Sequence, residues 1–107
     1  MNHWLAGLLE GEACFTWSRT PKVQLEMTDR DVVERAAREM KGRIAVRERQ
    51  GRKMTYVTAA YGPSAVQVMA QVYPMMGKRR QERIEGLVTR YFGVPQRPVQ
   101  LRLWDDA

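Results

Sequence analysis

A chain of 107 residues with 44% hydrophobic and 28% charged residues can form one domain with a modest core, and this balance argues against disorder. The single cysteine and the single histidine exclude a disulfide framework and argue against a zinc cluster built from these residues. The formal net charge of +6 rests mostly on arginine, whose planar fork matches phosphates and guanine edges, so the composition favours a nucleic-acid partner.

No apolar stretch is long enough to span a membrane, and the apolar run 4–9 is shorter than a signal-peptide core. We therefore expect an intracellular protein without a membrane partner, cytoplasmic in a prokaryote or phage by default, with an organelle as the alternative. Because the chain has no internal repeat and no linker, residues 1–107 are predicted to form a single domain with its core at about 3–92. No element is predicted for the tail 93–107, which is rich in proline and glutamine.

The first half of the chain carries the patterns of a helix, two strands and a second helix. Leucines at helical spacing predict a helix over 4–11. Alternation of apolar and polar residues predicts strands over 14–18 and 22–27, with a turn between them. Thr28, followed three residues later by Asp31, predicts the cap at which the second helix begins.

The second half of the chain repeats a hairpin and then continues with helices. Gly42 is predicted to end the second helix, and alternation predicts strands over 43–49 and 54–60. A capping box at Ser64 starts a third helix, and a last helix is predicted over 78–92. All four strands can pair antiparallel through short turns with the helices on one face, which is an α+β fold with one open sheet face.

The stretch 5–13, Leu-Ala-Gly-Leu-Leu-Glu-Gly-Glu-Ala, closely resembles the nine-residue motif that names the LAGLIDADG homing endonucleases. Trp4 before it and Cys14 and Phe15 after it are similar to the common family context. The resemblance covers about 3–92, because the predicted elements follow in the family's order. It implies a LAGLIDADG-like αββαββα(α) fold of the single-motif, homodimeric type, with an antiparallel four-stranded saddle sheet and the helices on one face.

Two glycines of this motif share one face of the predicted helix. Gly7 and Gly11 lie four residues apart, so that face has no side chain at two successive turns. Glycine inside a helix costs roughly 1 kcal/mol against alanine, so two of them need a structural reason. They could allow close packing against a second copy or against the chain's own sheet. The resemblance favours a homodimer, with an interface formed by Leu5, Gly7, Leu8 and Gly11.

Glu12 stands at the end of the predicted helix, where unpaired carbonyls and the negative end of the helix dipole suit a cation. Hard oxygen ligands of this kind fit Mg²⁺. The resemblance implies that Glu12 and the backbone carbonyl of Gly11 bind the metal, and that Mn²⁺ or Ca²⁺ can occupy the site. The alternative for Glu12 is a solvated acid at a helix end. Glu10 is expected to be structural, and Ala13 replaces the motif's usual glycine, where a positive φ would be strained.

Three further residues match family positions near the active site. The resemblance implies that Asp29 organises water near the scissile phosphate, and that Lys78 or Arg79 stabilises charge on the reacting phosphorus. Each has a plainer alternative, since Asp29 could serve only as a helix cap and the basic run 78–80 could be a solvated helix start.

The open face of the predicted sheet carries polar side chains at every second position, as expected of strands that lie in the major groove of DNA. Arg47 and Arg49 are the predicted contacts to guanine or phosphate, and Arg52 and Lys53 at a hairpin tip are predicted to contact phosphates. The full predicted set of DNA-binding residues is Thr16, Ser18, Lys22, Gln24, Glu26, Arg47, Arg49, Arg52, Lys53 and Thr55.

The leading hypothesis is a Mg²⁺-dependent, site-specific endonuclease that makes double-strand breaks in double-stranded DNA as a homodimer, an activity that the resemblance links to intron or intein mobility. A two-fold symmetric dimer requires a palindromic or nearly palindromic target. Two alternatives stay open at this point. One is a non-cleaving DNA-binding regulator or intron-splicing cofactor derived from the family, and the other is a monomeric RNA-binding protein.

Overall fold

The computed structural model describes residues 2–48, 50–51 and 53–93. In these ranges the elements are α1 (His3–Glu12), β1 (Ala13–Trp17), β2 (Pro21–Met27), α2 (Arg30–Met40), β3 (Arg43–Arg47), β4 (Thr55–Tyr61), α3 (Gly62–Val72), a 3₁₀ turn (Tyr73–Met75) and α4 (Lys78–Tyr91). The predicted order of helix, hairpin, helix, hairpin and two helices is confirmed. None of the described helices combines the length and the apolar character that a membrane span requires. The tail beyond Gly93 lies outside the described residues.

The four described strands form one antiparallel sheet in the order β1-β2-β4-β3. The two hairpins therefore meet at β2 and β4 in the centre, and β1 and β3 form the edges. Along β2, Pro21, Val23 and Leu25 are buried, whereas the residues between them are partly exposed. All four helices contact β2, and their side chains join its buried residues in one core. The predicted α+β fold with helices on one sheet face is confirmed.

The hydrophobic core holds α1 against the sheet, and the burial of Leu5 in this core contradicts the role predicted for that residue. Leu5 and Leu9 are completely buried and belong to the same hydrophobic core as Leu25 of β2. Burying one leucine stabilises the fold by about 1.5–3 kcal/mol, so α1 needs this face for its own domain. Leu5 is therefore unavailable to a second copy, and its predicted place in a dimer interface is wrong. Leu8 is only partly buried, at the margin of the core.

The starts of two helices differ from the predicted caps. Asp29 rather than Thr28 is the N-cap of α2, and its side chain makes no capping hydrogen bond. The third helix, α3, begins at Gly62 with Pro63 in its first turn, so Ser64 lies inside the helix. Proline suits the first helical position because its φ is fixed at about −65° and its missing N–H would have no partner there. The proline thus overrides the serine as the start signal.

The end of α2 places Gly42 against the neighbouring strand. Gly42 was expected to end the second helix, but the helix ends at Met40, and Lys41, with a φ of 57°, takes the left-handed position that follows it. Gly42 is needed for a different reason, because a Cβ at this position would lie 2.6 Å from the carbonyl oxygen of Ala59 and 2.8 Å from Oγ1 of Thr58. The Ala59 oxygen belongs to the backbone of β4, which is paired on both sides and cannot give way.

Replacing Gly42 with alanine should therefore lower the free energy of unfolding by about 1–3 kcal/mol, the usual cost of overpacking. Gly86→Ala is the matched control, because a Cβ at this α4 position meets no heavy atom within 4 Å. Alanine at Gly86 should instead stabilise the protein by roughly 1 kcal/mol through its higher helix propensity. Urea denaturation measures both variants. A Gly42→Ala chain as stable as the wild type would contradict the close approach of α2 to β4.

Candidate functional site

The outward side of α1 carries no side chain at two successive turns. A Cβ built at Gly7 or at Gly11 meets no heavy atom of the described residues within 4 Å, and both glycines are exposed. The alternative that they pack against the chain's own sheet is therefore excluded. We call this strip of exposed backbone, Gly7 and Gly11 of α1, the glycine face.

Glu12 is the last residue of α1 and is exposed. Its carboxylate makes no hydrogen bond or ion pair with the part of the chain that the structure describes. The N–H of Ala13 donates to the carbonyl of Leu9, which leaves the Gly11 carbonyl beyond the last donor of the helix. Ala13 has a φ of −90°, so alanine is unstrained where the motif usually has glycine.

The groups at this helix end that could bind a metal are the Glu12 carboxylate and the Gly11 backbone carbonyl. Oxygen ligands of this kind fit a hard divalent cation. The described residues contain no group of three or more histidine, cysteine or acidic side chains that could hold a metal ion. Within the described residues, the Glu12 carboxylate and the Gly11 carbonyl could therefore supply only some of the ligands that a divalent cation needs.

The other predicted catalytic residues differ in their relation to Glu12. Arg79 lines a shallow groove of about 370 Å³ along the first residues of β1, which directly follow Glu12. The antiparallel pairing of β1 with β2 puts the end of β2, and Asp29 beyond it, at the same end of the sheet as Glu12. Lys78 is exposed at the first residue of α4 and does not line this groove.

Arginines of α4 cover the outer edge of β1. Arg80 and Arg83 each donate at 3.0 Å, to the carbonyl oxygens of Ala13 and Phe15. An edge strand with unpaired carbonyls is open to unwanted strand pairing, and these two side chains block it. The side chain of Arg80 is only 20% exposed. The alternative of a solvated basic run at the start of α4 therefore fails for Arg80.

The sheet face away from the helices carries most of the residues predicted to bind DNA. The cross-strand register puts six of them on this side, which we call the open face: Thr16, Lys22, Gln24, Glu26, Arg47 and Thr55. Ser18 lies just beyond the end of β1, where it was predicted to lie within the strand, and Lys53 is exposed before β4. The predicted contacts Arg49 and Arg52 lie outside the described residues.

Glu26 connects three strands of the open face. Its carboxylate accepts hydrogen bonds from Nη1 of Arg47 at 2.9 Å and from Oγ1 of Thr55 at 2.5 Å. An exposed ion pair adds only about 0–1 kcal/mol to stability, so the main consequence of the contact is orientation. Arg47 is held over the open face while 44% of its side chain stays exposed.

A groove of about 490 Å³ on the same side of the sheet includes basic residues that were not predicted as contacts. These are Lys41 and Arg43, and Tyr61 also lines the groove. Arg43 shares the side of β3 that carries Arg47, which the period of two could have revealed. Lys41 comes from a helix end. Tyr61 lies beside the predicted contact Lys22, whose ammonium is 5.4 Å from the centroid of the Tyr61 ring. No local sequence pattern indicates that Lys41 or Tyr61 would line this groove.

The sequence matches no known family profile and no curated protein. Three solved structures share its fold, each matching over 96% of this chain. They are the group I intron-encoded homing endonuclease I-CeuI complexed with DNA (TM-score 0.63, 22% identity), the homing endonuclease I-CvuI with the I-CreI target in 2 mM Mg, DNA not cleaved (TM-score 0.62, 16% identity), and the archaeal intron-encoded homing endonuclease I-Vdi141I complexed with DNA (TM-score 0.53, 16% identity).

The three similar proteins are longer than the matched region. The match covers 63% of I-CeuI, 76% of I-CvuI and 79% of I-Vdi141I. Within that region the helix order and the four-stranded antiparallel sheet agree with what the motif at 5–13 implied. The chain therefore has the fold of the LAGLIDADG homing endonucleases.

Proposed function

We propose that this chain is a site-specific DNA endonuclease that makes double-strand breaks at a palindromic or nearly palindromic target, as a homodimer and with a divalent metal. The observation that carries the proposal is the exposed carboxylate of Glu12, without a partner in the described residues, at the end of a helix with a bare outward face. The DNA complexes of the three similar proteins support the choice of DNA as substrate.

The glycine face supports the homodimer. Each glycine costs α1 roughly 1 kcal/mol of helix stability, and neither is required by contacts within the described chain. Two copies of α1 can approach closely at Gly7 and Gly11, because no side chain separates their backbones. In an interface with two-fold symmetry the same patch meets itself, which brings one Glu12 towards the other. Such a pairing assembles the oxygen ligands that one chain lacks.

Mg²⁺ is the proposed metal, with Mn²⁺ or Ca²⁺ as possible occupants, held by the Glu12 carboxylate and the Gly11 carbonyl. When bound, the cation supplies an activated water and charge neutralisation for phosphodiester hydrolysis. Arg79 places a positive charge beside the first residues of β1, where it offsets charge that builds up on the scissile phosphate. Asp29, whose side chain makes no capping bond, orders water at the same end of the sheet.

The open face binds the DNA. Its basic residues lie on strands whose period of two lets every second side chain point to the groove. Arg47 is held in place by Glu26 and still exposed, so it is the best placed guanine or phosphate contact. Lys22, Lys41 and Arg43 in the adjoining groove add positive charge for the phosphates.

Replacing Arg47 with alanine should weaken DNA binding by about 1–3 kcal/mol, roughly fivefold to 150-fold, if it contacts a base edge. Arg90→Ala is the matched control, since Arg90 lies on α4 with its guanidinium carbon 4.1 Å from the ring centroid of Trp17. Both variants lose one positive charge, but only Arg47 belongs to the open face. Fluorescence anisotropy with labelled duplex DNA at fixed salt measures the affinity. An equal loss in both variants would attribute binding to net charge alone.

One experiment separates the proposed function from its alternatives. The purified protein is incubated with a randomised DNA library in Mg²⁺ or in EDTA, the cut ends are sequenced, and sedimentation gives the mass of the free protein. Palindromic cut sites that require Mg²⁺, together with a dimer mass, are expected. Enrichment of bound DNA without cutting would instead identify a non-cleaving regulator. A protein that sediments as a monomer, leaves the DNA library uncut and binds a matched RNA library more tightly would overturn the proposal.

A further inference from the structure

The two acids in the last turn of α1 have different surroundings. Glu10 and Glu12 are two residues apart, which is about 200° around a helix, so their side chains leave it on nearly opposite sides. Glu12 is exposed and has no partner within the described residues, whereas Glu10 contacts the start of α4. The function proposed above uses Glu12 alone and leaves the contacts of Glu10 unexplained.

Both carboxylate oxygens of Glu10 contact one short stretch of chain, 77–80. The backbone N–H of Gly77 donates to Oε1 at 3.3 Å, and Nε of Arg80 lies 3.4 Å from Oε2. The fit is close, because a Cβ on Gly77 would lie only 2.9 Å from Oε1. A contact between residues 67 positions apart in sequence thus fixes the last turn of α1 to α4.

Arg80 also makes a second contact on the other side of Glu12. Its Nη1 donates at 3.0 Å to the carbonyl oxygen of Ala13, the first residue of β1, and its guanidinium lies 5.7 Å from the ring centroid of Phe15. One guanidinium therefore connects to residue 10 and to residue 13. Gly11 and Glu12, the two proposed metal ligands, are the residues between these anchor points.

We propose that Glu10 and Arg80 are positioning residues that hold the Gly11 carbonyl and the Glu12 carboxylate in place for a divalent cation, an inference that rests on the proposed function. Helix ends lack half of their hydrogen bonds, and α1 passes directly into β1 without a loop. Metal ligands have to be held within about 0.5 Å of their productive positions. The salt bridge and the Ala13 hydrogen bond supply that restraint from outside the helix.

Titration of the full chain with Mn²⁺ alone, followed by electron paramagnetic resonance, tests this role. Arg80→Gln is the decisive variant. By simple electrostatics, removal of a nearby positive charge strengthens the binding of a cation, whereas loss of positioning weakens it. We expect Arg80→Gln to bind Mn²⁺ about tenfold to a hundredfold more weakly, the usual effect of removing a residue that orients metal ligands.

Glu10→Gln should produce a loss of the same size, and the double variant should lose no more than the worse single variant, because both side chains belong to one contact. Glu39→Gln is the matched control. Glu39 accepts a hydrogen bond from the side chain of Asn2 and pairs with Arg35 at 3.3 Å, so it anchors the opposite end of α1. Its replacement should leave Mn²⁺ affinity within about twofold of wild type.

Urea denaturation of each variant tests whether it folds. If Arg80→Gln does not fold, Arg80→Lys takes its place. Lysine keeps the positive charge but loses the planar guanidinium that contacts two oxygens at once. Wild-type or tighter Mn²⁺ binding by the tested Arg80 variant would overturn the positioning role while leaving the proposed function intact. An equal loss in Glu39→Gln would reduce the effect to general helix stability and overturn it as well. A wild-type chain that binds no Mn²⁺ would overturn the metal-dependent function itself.

Discussion

Replacing Glu12 with glutamine should lower DNA cleavage by at least about a thousandfold and leave DNA binding close to wild type. Glutamine keeps the size of the side chain but removes the negative charge that a divalent cation requires. A metal supplies several kcal/mol of transition-state stabilisation, and about 4 kcal/mol corresponds to a factor of a thousand. Glu12 is exposed and makes no hydrogen bond or ion pair with the described residues, so the chain should remain folded.

Cleavage in Mg²⁺ and binding in EDTA measure the two effects separately. Glu82→Gln is the matched control, because it removes the same charge from an exposed acid on α4 and should cleave DNA like the wild type. Retained cleavage in Glu12→Gln would remove this carboxylate from the mechanism. A loss of binding equal to the loss of cleavage would assign Glu12 to DNA contact or folding instead of catalysis.

Features that are determined by residues close together in the sequence could be predicted from the sequence alone. The alternation in 22–27 identifies β2 because a half-buried strand exposes every second side chain. The spacing of Gly7 and Gly11 likewise identifies a bare helix face, and the structure leaves that face uncovered. The motif also places Glu12 at the end of α1.

Contacts between distant parts of the chain could not be predicted in this way. Leucine spacing shows that Leu5 lies on an apolar face, but only the packed sheet shows that this face is buried within the chain. The need for glycine at Gly42 comes from the backbone of β4. The contact of Arg80 with Glu10 depends on where α4 returns to the sheet, and no local pattern records it.

Replacing Gly7 with leucine should change two measured quantities in opposite directions. A Cβ at this exposed position would meet no heavy atom of the described residues within 4 Å. Leucine has a higher helix propensity than glycine by just under 1 kcal/mol, so the isolated fold should become about that much more stable. If two copies of α1 meet at the glycine face, symmetry puts the new side chain into the interface twice. Overpacking of about 1–3 kcal/mol at each position should weaken dimerisation by a factor of about thirty or more.

Gly86→Leu is the matched control, since Gly86 is also an exposed helix glycine at which a Cβ would meet no heavy atom within 4 Å. It should gain a similar stability and keep wild-type dimerisation and cleavage. Sedimentation at several concentrations measures the dissociation constant of the dimer, and urea denaturation of the dilute protein measures the free energy of unfolding. If Gly7→Leu raises the stability of the fold and weakens dimerisation, whereas Gly86→Leu only raises the stability, the glycine face is an interface between copies. A Gly7→Leu chain that dimerises and cleaves DNA like the wild type would place the two Glu12 carboxylates elsewhere and contradict the shared metal site.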